Sequence, residues 1–491
     1  MTLSEPLIFE RTAPGRCGWD VPTVGAPVRA LPVGVAREDD LEGFPEVGEL
    51  ETLRHYLRLS QWNYSAATTM YPLGSCTMKY NPILNEQIAR AEWVASLHPL
   101  VPDAAAQGAL LICWELERAL AAVSGLPAVS LQPAAGAQGE LVGMMMIRAR
   151  HLADGRARKV VLIPASAHGT NPASSALCGY EVREIPVGER GILLASSVEE
   201  RMDDDVAALM ITNPNTLGLF EEEIVRIAEI VHGRGGLVYM DGANMNALMG
   251  VARPGDMGVD VMQFNLHKTF STPHGGGGPG AGPVAVSAQL EPYLPSPRLV
   301  RDGETLRWDE DRPSSVGRVR AFHGNFGILV RALAYILRLG GTGLEDVTRL
   351  AVLNANYLKS RLRAALPLAY DTPAMHEVVF SDRDLIPLGV TTLDVAKRLL
   401  DYGFYAPTIY FPLVVKGAMM MEPTESEGRE TLDEFVEAVR AIVGEAQAEA
   451  DVVRGAPHNT RLGRLDEVAA ARRPKLRWRP PVTSAERNAE N

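Results

Sequence analysis

The spacing of apolar positions changes regularly along this chain, and it predicts the elements. From Val101 to Val123 the apolar residues recur at helical intervals, and Gly125 with Pro127 closes that pattern. Short continuous apolar runs then alternate with helical stretches: Ala128 to Leu131, a helix from Glu140 to Arg150, Val160 to Ile163, Leu209 to Thr212, a helix from Glu221 to His232, Leu237 to Met240 and Val259 to Phe264. Continuous apolar strands separated by amphipathic helices predict a mostly parallel sheet covered on both faces, an α/β domain. In the helix from Glu221, Ile224, Ile227, Ala228 and Val231 make one apolar stripe, while Glu221, Glu222 and Glu223 occupy the dipole-positive start. Such a helix covers the sheet and carries no chemistry.

Outside that region the pattern changes twice. Residues 1–65 are rich in Pro, Gly and acidic side chains, with one helical stretch near Glu49 to Leu59, and read as an arm of the kind that wraps a partner subunit. After Arg331 long helices dominate, one of them opened by Thr391 and Asp394 at capping-box spacing and closed by Gly403. The expected organisation is an arm at 1–65, a large α/β domain at 66–334, a smaller C-terminal α+β domain at 335–450 and a tail at 451–491. The tail carries Arg472, Arg473, Lys475, Arg477, Arg479, Pro480 and Pro481, and is expected to be a structural extension lying along the surface.

Composition narrows the classes. The 491 residues are enough for at least two parts, and 46% apolar with 22% charged residues is an ordinary globular balance. A net charge of -12 argues against nucleic acid or anionic lipid as a general partner. Met1 to Asp20 lacks the order of a signal peptide, and no run of about 18 apolar residues occurs, so a cytoplasmic protein is expected. Cys17, Cys76, Cys113 and Cys178 are scattered without a CxxC pair, which suggests buried free thiols and neither a disulfide framework nor a zinc site.

In an open α/β sheet, ligands bind beyond the carboxyl ends of the strands. Four predicted ends carry unusual residues. Leu237 to Met240 leads into Asp241, with Ala243 two residues on; Val259 to Phe264 leads into Asn265, His267 and Lys268; Val160 to Ile163 leads into His168. The fourth feeds the loop Pro133 to Gly139, including Ala135, Gly136 and Ala137, whose small residues let backbone N–H groups converge on an anion such as phosphate. Lysine is scarce, seven against 41 arginines, and Lys268 alone has this setting, 27 residues beyond Asp241 and followed by the run Gly275 to Gly278. A desolvated amine has a lowered pKa and is a usable nucleophile toward an aldehyde. Singly, a strand-end Asp is commonly a cap and a lone His commonly structural. Jointly, these residues would serve an aldehyde cofactor with a phosphate and a pyridine nitrogen, which is pyridoxal phosphate. Lys268 would hold it as a Schiff base, Asp241 would pair with the ring nitrogen, the Gly136 loop would take the phosphate, and His168 and Ala243 would pack its two faces.

Longer motifs carry a resemblance. They include Tyr71 to Pro82 (YPLGSCTMKYNP), Ala135 to Glu140 (AGAQGE), Ala167 to Ala173 (AHGTNPA), Asp241 to Ala247 (DGANMNA), Asn265 to Phe270 (NLHKTF), His274 to Gly280 (HGGGGPG), Arg318 to Asn325 (RVRAFHGN) and Glu422 to Glu425 (EPTE). With these the chain resembles the glycine cleavage system P-protein over nearly its whole length, and looks like the separately encoded, lysine-bearing C-terminal half. The resemblance implies an aspartate-aminotransferase-like fold (fold type I) and pyridoxal phosphate on Lys268, with Asp241 and His168 at the reacting centre. It further implies glycine decarboxylation with transfer of an aminomethyl group to lipoylated H-protein, and a companion subunit in an α2β2 assembly. His267 and Thr170 are further candidates for phosphate or substrate contact. The Tyr71 to Pro82 segment, with Cys76 and Thr77, is either one wall of a lipoyl channel or a structural lid. Two other readings stay open on the residues alone: another fold-type-I enzyme, such as an aminotransferase or amino-acid decarboxylase, or a pyridoxal-phosphate-binding regulator or silent scaffold subunit. Against a regulator, residues 1–65 show neither a helix-turn-helix pattern nor positive charge.

Overall fold

A computed structural model describes residues 5–19, 25, 29–30, 32–35, 43–275 and 280–479. Gly276 to Gly278 of the glycine run, and Pro480 and Pro481 of the tail, lie outside them. The chain forms two compact units, one from residues 1–65 with 456–491 and one from residues 66–455.

The larger unit is built on a seven-stranded sheet: β1 Ala128–Ser130, β2 Val160–Pro164, β3 Glu181–Ile185, β4 Val206–Thr212, β5 Leu237–Gly242, β6 Val261–Phe264 and β7 Val284–Val286. Its order is β1-β7-β6-β5-β4-β2-β3, and β7 runs antiparallel to both neighbours while β6, β5, β4, β2 and β3 are mutually parallel. Strand alternation divides the core into two layers. Val238, Met240, Met262 and Phe264 face one apolar layer with the helices Gln107–Ser124 and Ile224–Gly233; Leu237, Tyr239, Met210 and Val261 face the other, under the helix Gly136–Ala153. Two further sheets are the hairpin β8 Arg298–Asp302 with β9 Thr305–Asp309, and a three-stranded sheet of β10 Val378–Ser381, β11 Thr408–Ile409 and β12 Ala418–Met421 in the order β10-β12-β11.

Several expected boundaries shift for identifiable reasons. The helix expected from Glu140 begins at Gly136, because packing against the sheet outweighs the low helix propensity of Gly136 and Gly139. The helix expected from Glu221 begins at Ile224. Glu221 is instead fully buried in the preceding turn, accepting from the Leu193 N–H (2.6 Å) and Asn215 Nδ2 (2.8 Å), and burial pushes its carboxyl up to about 7. The expected boundary at 334/335 falls inside the helix Phe326–Leu362, which bends at Gly340 (φ 63°). Its Leu329, Leu333 and Val347 join the core of the large sheet, while Leu358 and Leu362 join a second core beneath β10 and β12. The capping box at Thr391 and Asp394 is present, opening the helix Thr392–Asp401. Of the four thiols, Cys113 and Cys178 are buried as expected, but Cys76 is half-buried and Cys17 is exposed, because both sit in irregular chain outside the packed layers.

The smaller unit joins arm to tail. The helix Glu49–Ser60 presents His55 and Arg58 to the Glu5 carboxylate, Phe9 stacks on Trp478 with ring centroids 5.2 Å apart, and Arg461 lies over the Trp62 ring. The tail, expected as a structural extension lying along the surface, is thus part of a small two-segment unit with the arm.

Candidate active site

At the carboxyl ends of β2, β4, β5 and β6 lies a cavity of about 180 Å³ lined by Ser75, Gly136, Ala137, Glu140, His168, Thr170, Thr212, Thr216, Asp241, Ala243, Asn244, Asn265, His267 and Lys268. The parallel strands deliver these residues because each ends on the same side of the sheet and the chain turns outward there. Of the residues expected from sequence, Ala135 alone does not line it; it is the N-cap of the helix Gly136–Ala153 and accepts from the Gly139 N–H (2.9 Å). A larger cavity of about 480 Å³, bounded by Leu97, Val101, Trp308 and Phe322, contains none of the strand-end residues. The chemistry therefore points to the smaller one.

Lys268 is buried, and its Nζ donates to the Ser75 carbonyl at 2.8 Å. Asp241, the penultimate residue of β5 rather than a residue beyond it, is 3% exposed. Its Oδ1 accepts from the Ala243 N–H (2.9 Å) and from Gln263 Nε2, and its Oδ2 accepts from Asn171 Nδ2 at 3.1 Å. A carboxylate offers about four acceptor positions, so roughly one is left for a ligand. Gln263 is itself fixed by the Tyr239 hydroxyl, and Asn171 also donates to Glu140 Oε2 at 2.9 Å. Burial, reinforced by the neighbouring Asp241, pushes Glu140 up to about 9. Near neutrality Glu140 is protonated, which leaves Asp241 to carry the negative charge of this corner.

The remaining groups complete a polar cradle. His168 Nδ1 sits 2.7 Å from Thr170 Oγ1, and its exposed ring meets Phe411 edge-on at 5.6 Å between centroids. His267 is held neutral, its pKa pushed down to about 3 by burial and by the charge of Lys268. Thr212 Oγ1, Asn265 Oδ1 and His267 Nδ1 are buried without a partner. Groups of that kind on a cavity wall are expected to meet a polar ligand. The first turn of the helix Gly136–Ala153 supplies free backbone N–H groups, and the helix lies flush on the sheet: a Cβ on Gly139 would fall 2.7 Å from the Gly282 carbonyl oxygen. These features fit pyridoxal phosphate: an anion site at a helix start, a lysine amine, and a carboxylate with one acceptor position to spare.

Sequence reasoning missed Asn171, Gln263, Asn244, Thr212 and Thr216, and gave Glu140 no role. A signal existed for Gln263, a polar residue set between Met262 and Phe264 in an apolar run. None existed for Thr216, whose hydroxyl bonds the Ser166 carbonyl across two loops.

Residues 27–306 match the family described as "Glycine cleavage system P-protein", and residues 347–460 match "Glycine dehydrogenase, C-terminal domain". The chain belongs to the glycine cleavage system P-protein family. Relatives of this P-protein chain named "Probable glycine dehydrogenase (decarboxylating) subunit 2" include one from Halalkalibacterium halodurans, 53% identical over 97% of this chain and 99% of the relative. Another, from Chlorobium chlorochromatii, is 52% identical over 96% and 98%. Among solved structures, a glycine decarboxylase (P-protein) in inhibitor-bound form superposes with a TM-score of 0.70 at 20% identity, covering 83% of this chain and 92% of that one. A Burkholderia pseudomallei sphingosine-1-phosphate lyase follows at 0.59 and 16%, covering 86% and 95%. At these identities the solved structures establish the shared fold, which is fold type I.

Proposed function

We propose that this chain is the cofactor-bearing subunit of a glycine-decarboxylating P-protein, that Lys268 is the attachment point for pyridoxal phosphate, and that a companion subunit completes the enzyme. The observation that carries this reading is the meeting of Lys268, Asp241 and the Gly136 helix start in one cavity, on a chain about half identical along its whole length to decarboxylating glycine dehydrogenase subunit 2 proteins. When bound, pyridoxal phosphate supplies an electron sink for the pair released as glycine loses carbon dioxide.

The chain's own residues do the rest. Asp241 holds a proton at the position facing its free acceptor site, and Gln263, Asn171 and the Ala243 N–H keep the carboxylate from turning away. The neutral Glu140 avoids a second negative charge that would compete for that proton. Gly136 and Ala137 orient backbone donors toward an anion. His168 and Ala243, which both line the cavity, would pack the two faces of the ring. The aminomethyl product would pass to the lipoyl arm of H-protein; Ser75, in the Tyr71 to Pro82 segment, lines the cavity. Leu50, Leu53, Tyr56 and Leu57 of the helix Glu49–Ser60 are more than half exposed, which supports a covering companion chain.

Borohydride reduction tests the attachment. The chain loaded with pyridoxal phosphate should retain it covalently after reduction and yield one modified peptide containing Lys268, while Lys268→Ala should retain none. Covalent retention by Lys268→Ala would overturn the assignment.

A further inference from the structure

Three fully buried ionisable side chains outside the cavity, His376, Glu377 and Glu422, each bring a nitrogen or carboxyl oxygen within 4.8 Å of the others. The sheet explains why. Glu377 immediately precedes β10 and Glu422 immediately follows β12, and the antiparallel register pairs Val378 with Met421. One step further out sets Glu377 opposite Glu422. Like charges directly opposed on paired strands repel even in solvent, and two ionised carboxylates side by side in a dry interior are far less favourable.

Both groups grip the same piece of chain. The Ser75 N–H donates to Glu377 Oε2 at 2.8 Å, the Thr77 hydroxyl donates to Glu422 Oε1, and the Glu422 N–H reaches the Pro72 carbonyl at 3.2 Å. Ser75 is held at φ 64°, a left-handed conformation that a serine adopts only when its surroundings fix it. The carbonyl of this same Ser75 receives Lys268 Nζ. The Ser75 to Thr77 turn is thus clamped on one side by the two carboxyl groups and on the other by the lysine. Glu377 Oε1, Glu422 Oε2 and both ring nitrogens of His376 are left without partners.

We propose that Glu377 and Glu422 share one proton and act as positioning residues for Lys268. As a singly charged pair they hold the Ser75 to Thr77 turn against the lysine amine and supply the negative charge that faces it. One proton on the pair removes the repulsion between the two carboxylates. The surrounding charges agree with a single retained charge. Lys268 favours ionisation of both carboxyls, whereas burial opposes it, pushing Glu377 up to about 7 and Glu422 well above the carboxylate range. The other groups facing the pair are His376, pushed down to about 3 and so neutral, Cys76, whose thiol is pushed up by burial, and Glu425, which raises Glu422 further and is paired to Lys79 at 2.8 Å. A divalent cation in the same place would face the Lys268 ammonium, which disfavours it.

The positioning role rests on Lys268 being the attachment point, so the test has one arm that does not depend on it. In the full chain without cofactor, the infrared difference between unchanged protein and Glu422→Gln should show loss of the C=O stretch of a protonated carboxyl, with carboxylate absorption retained. In the chain loaded with pyridoxal phosphate, the pH midpoint of the cofactor–lysine absorbance should stay in place in Glu422→Gln, which conserves the charge. In the double variant Glu377→Gln/Glu422→Gln it should fall by on the order of one unit, because the facing negative charge is gone. Loss of carboxylate absorption together with a lowered midpoint in Glu422→Gln would show two charges and overturn the shared proton. An unmoved midpoint in the double variant would show a neutral, purely structural pair. Stoichiometric divalent metal in the purified chain, lost in either variant, would replace the proton by a cation. Failure of borohydride to label Lys268 would remove the attachment reading while the infrared result still decides the pair.

Discussion

Asp241 shows how much of a site's chemistry is set by neighbours that do not touch the ligand. Its two oxygens already take three donors, so Asp241→Asn does more than remove a charge. An amide must turn its NH2 group toward either Asn171 or Gln263, both of which donate there, so one hydrogen bond becomes a donor–donor clash. The variant should still bind pyridoxal phosphate but lose roughly 2–4 kcal/mol of transition-state stabilisation, or about 30- to 1000-fold in glycine decarboxylation. Carbon dioxide release at the unchanged rate would refute the role. Glu140 gives the complementary pH prediction. The unfolded chain releases this proton near the ordinary value of 4.5, and the folded chain keeps it until about 9. Between those values the native state binds more protons, so Glu140 makes stability fall as pH rises, and its contribution levels off above about 9. Glu140→Gln, already neutral, should flatten the denaturation-midpoint profile across that window; an unchanged slope would mean that Glu140 is ionised. Lys268, His168 and the Gly136 loop were legible in the sequence because each follows an apolar run in an unusual residue type, and Asp241 because it is an acid closing one, although it lies inside β5 and not beyond it. Asn171 was not, since an amide that orients a carboxylate from a neighbouring helix has no spacing rule and is recognised only once the elements are packed together.

At the level of elements, the alternation of apolar runs and helical stretches gave the parallel sheet, but not the antiparallel β7 inserted between β1 and β6. Three apolar residues, Val284 to Val286, offer too little pattern to reveal a strand or its direction. That strand matters for function because the segment leading into it braces the anion loop. The Gly282 N–H donates to the Pro133 carbonyl at 3.0 Å, and a Cβ on Gly282 would lie 2.1 Å from the Ala135 carbonyl oxygen and 2.5 Å from the Gly136 nitrogen. Both obstacles are backbone, so nothing nearby can swing aside. Gly282→Ala should push the loop off the strand, costing about 1–3 kcal/mol in unfolding free energy and weakening affinity for pyridoxal phosphate by about tenfold or more. Urea denaturation and a cofactor titration measure the two effects, and an unchanged cofactor affinity would show that the loop does not form the anion site. The helical stretch Phe326–Leu362 is another case: long helices were expected after Arg331, but not the kink at Gly340 within this stretch, whose earlier part packs on one core and whose end packs on the next.

For the whole molecule, the pairing of arm and tail could not be read from the sequence, because contacts between segments some 400 residues apart leave no local pattern. The arm's Leu50, Leu53, Tyr56 and Leu57 nevertheless remain exposed within this chain, as do Ile83 and Trp93 in the larger unit. Apolar surface of that kind is costly in water and supports the proposed companion chain. Cofactor binding should depend least on the companion subunit, since every residue proposed to hold pyridoxal phosphate comes from this chain. Delivery of the lipoyl arm should depend on it most. A tethered disulfide reacts at a rate set by its effective concentration at the reacting carbon, and an open wall lets the arm spend most of its time elsewhere. The chain alone should therefore bind pyridoxal phosphate yet exchange glycine carboxylate with carbon dioxide poorly, and activity should rise and saturate as purified companion is added with H-protein held constant. The same titration without H-protein should show a smaller gain, because free glycine needs no guided entry. Full exchange activity of this chain alone, unchanged by the companion, would overturn the shared-site reading and leave the chemistry at Lys268 and Asp241 standing.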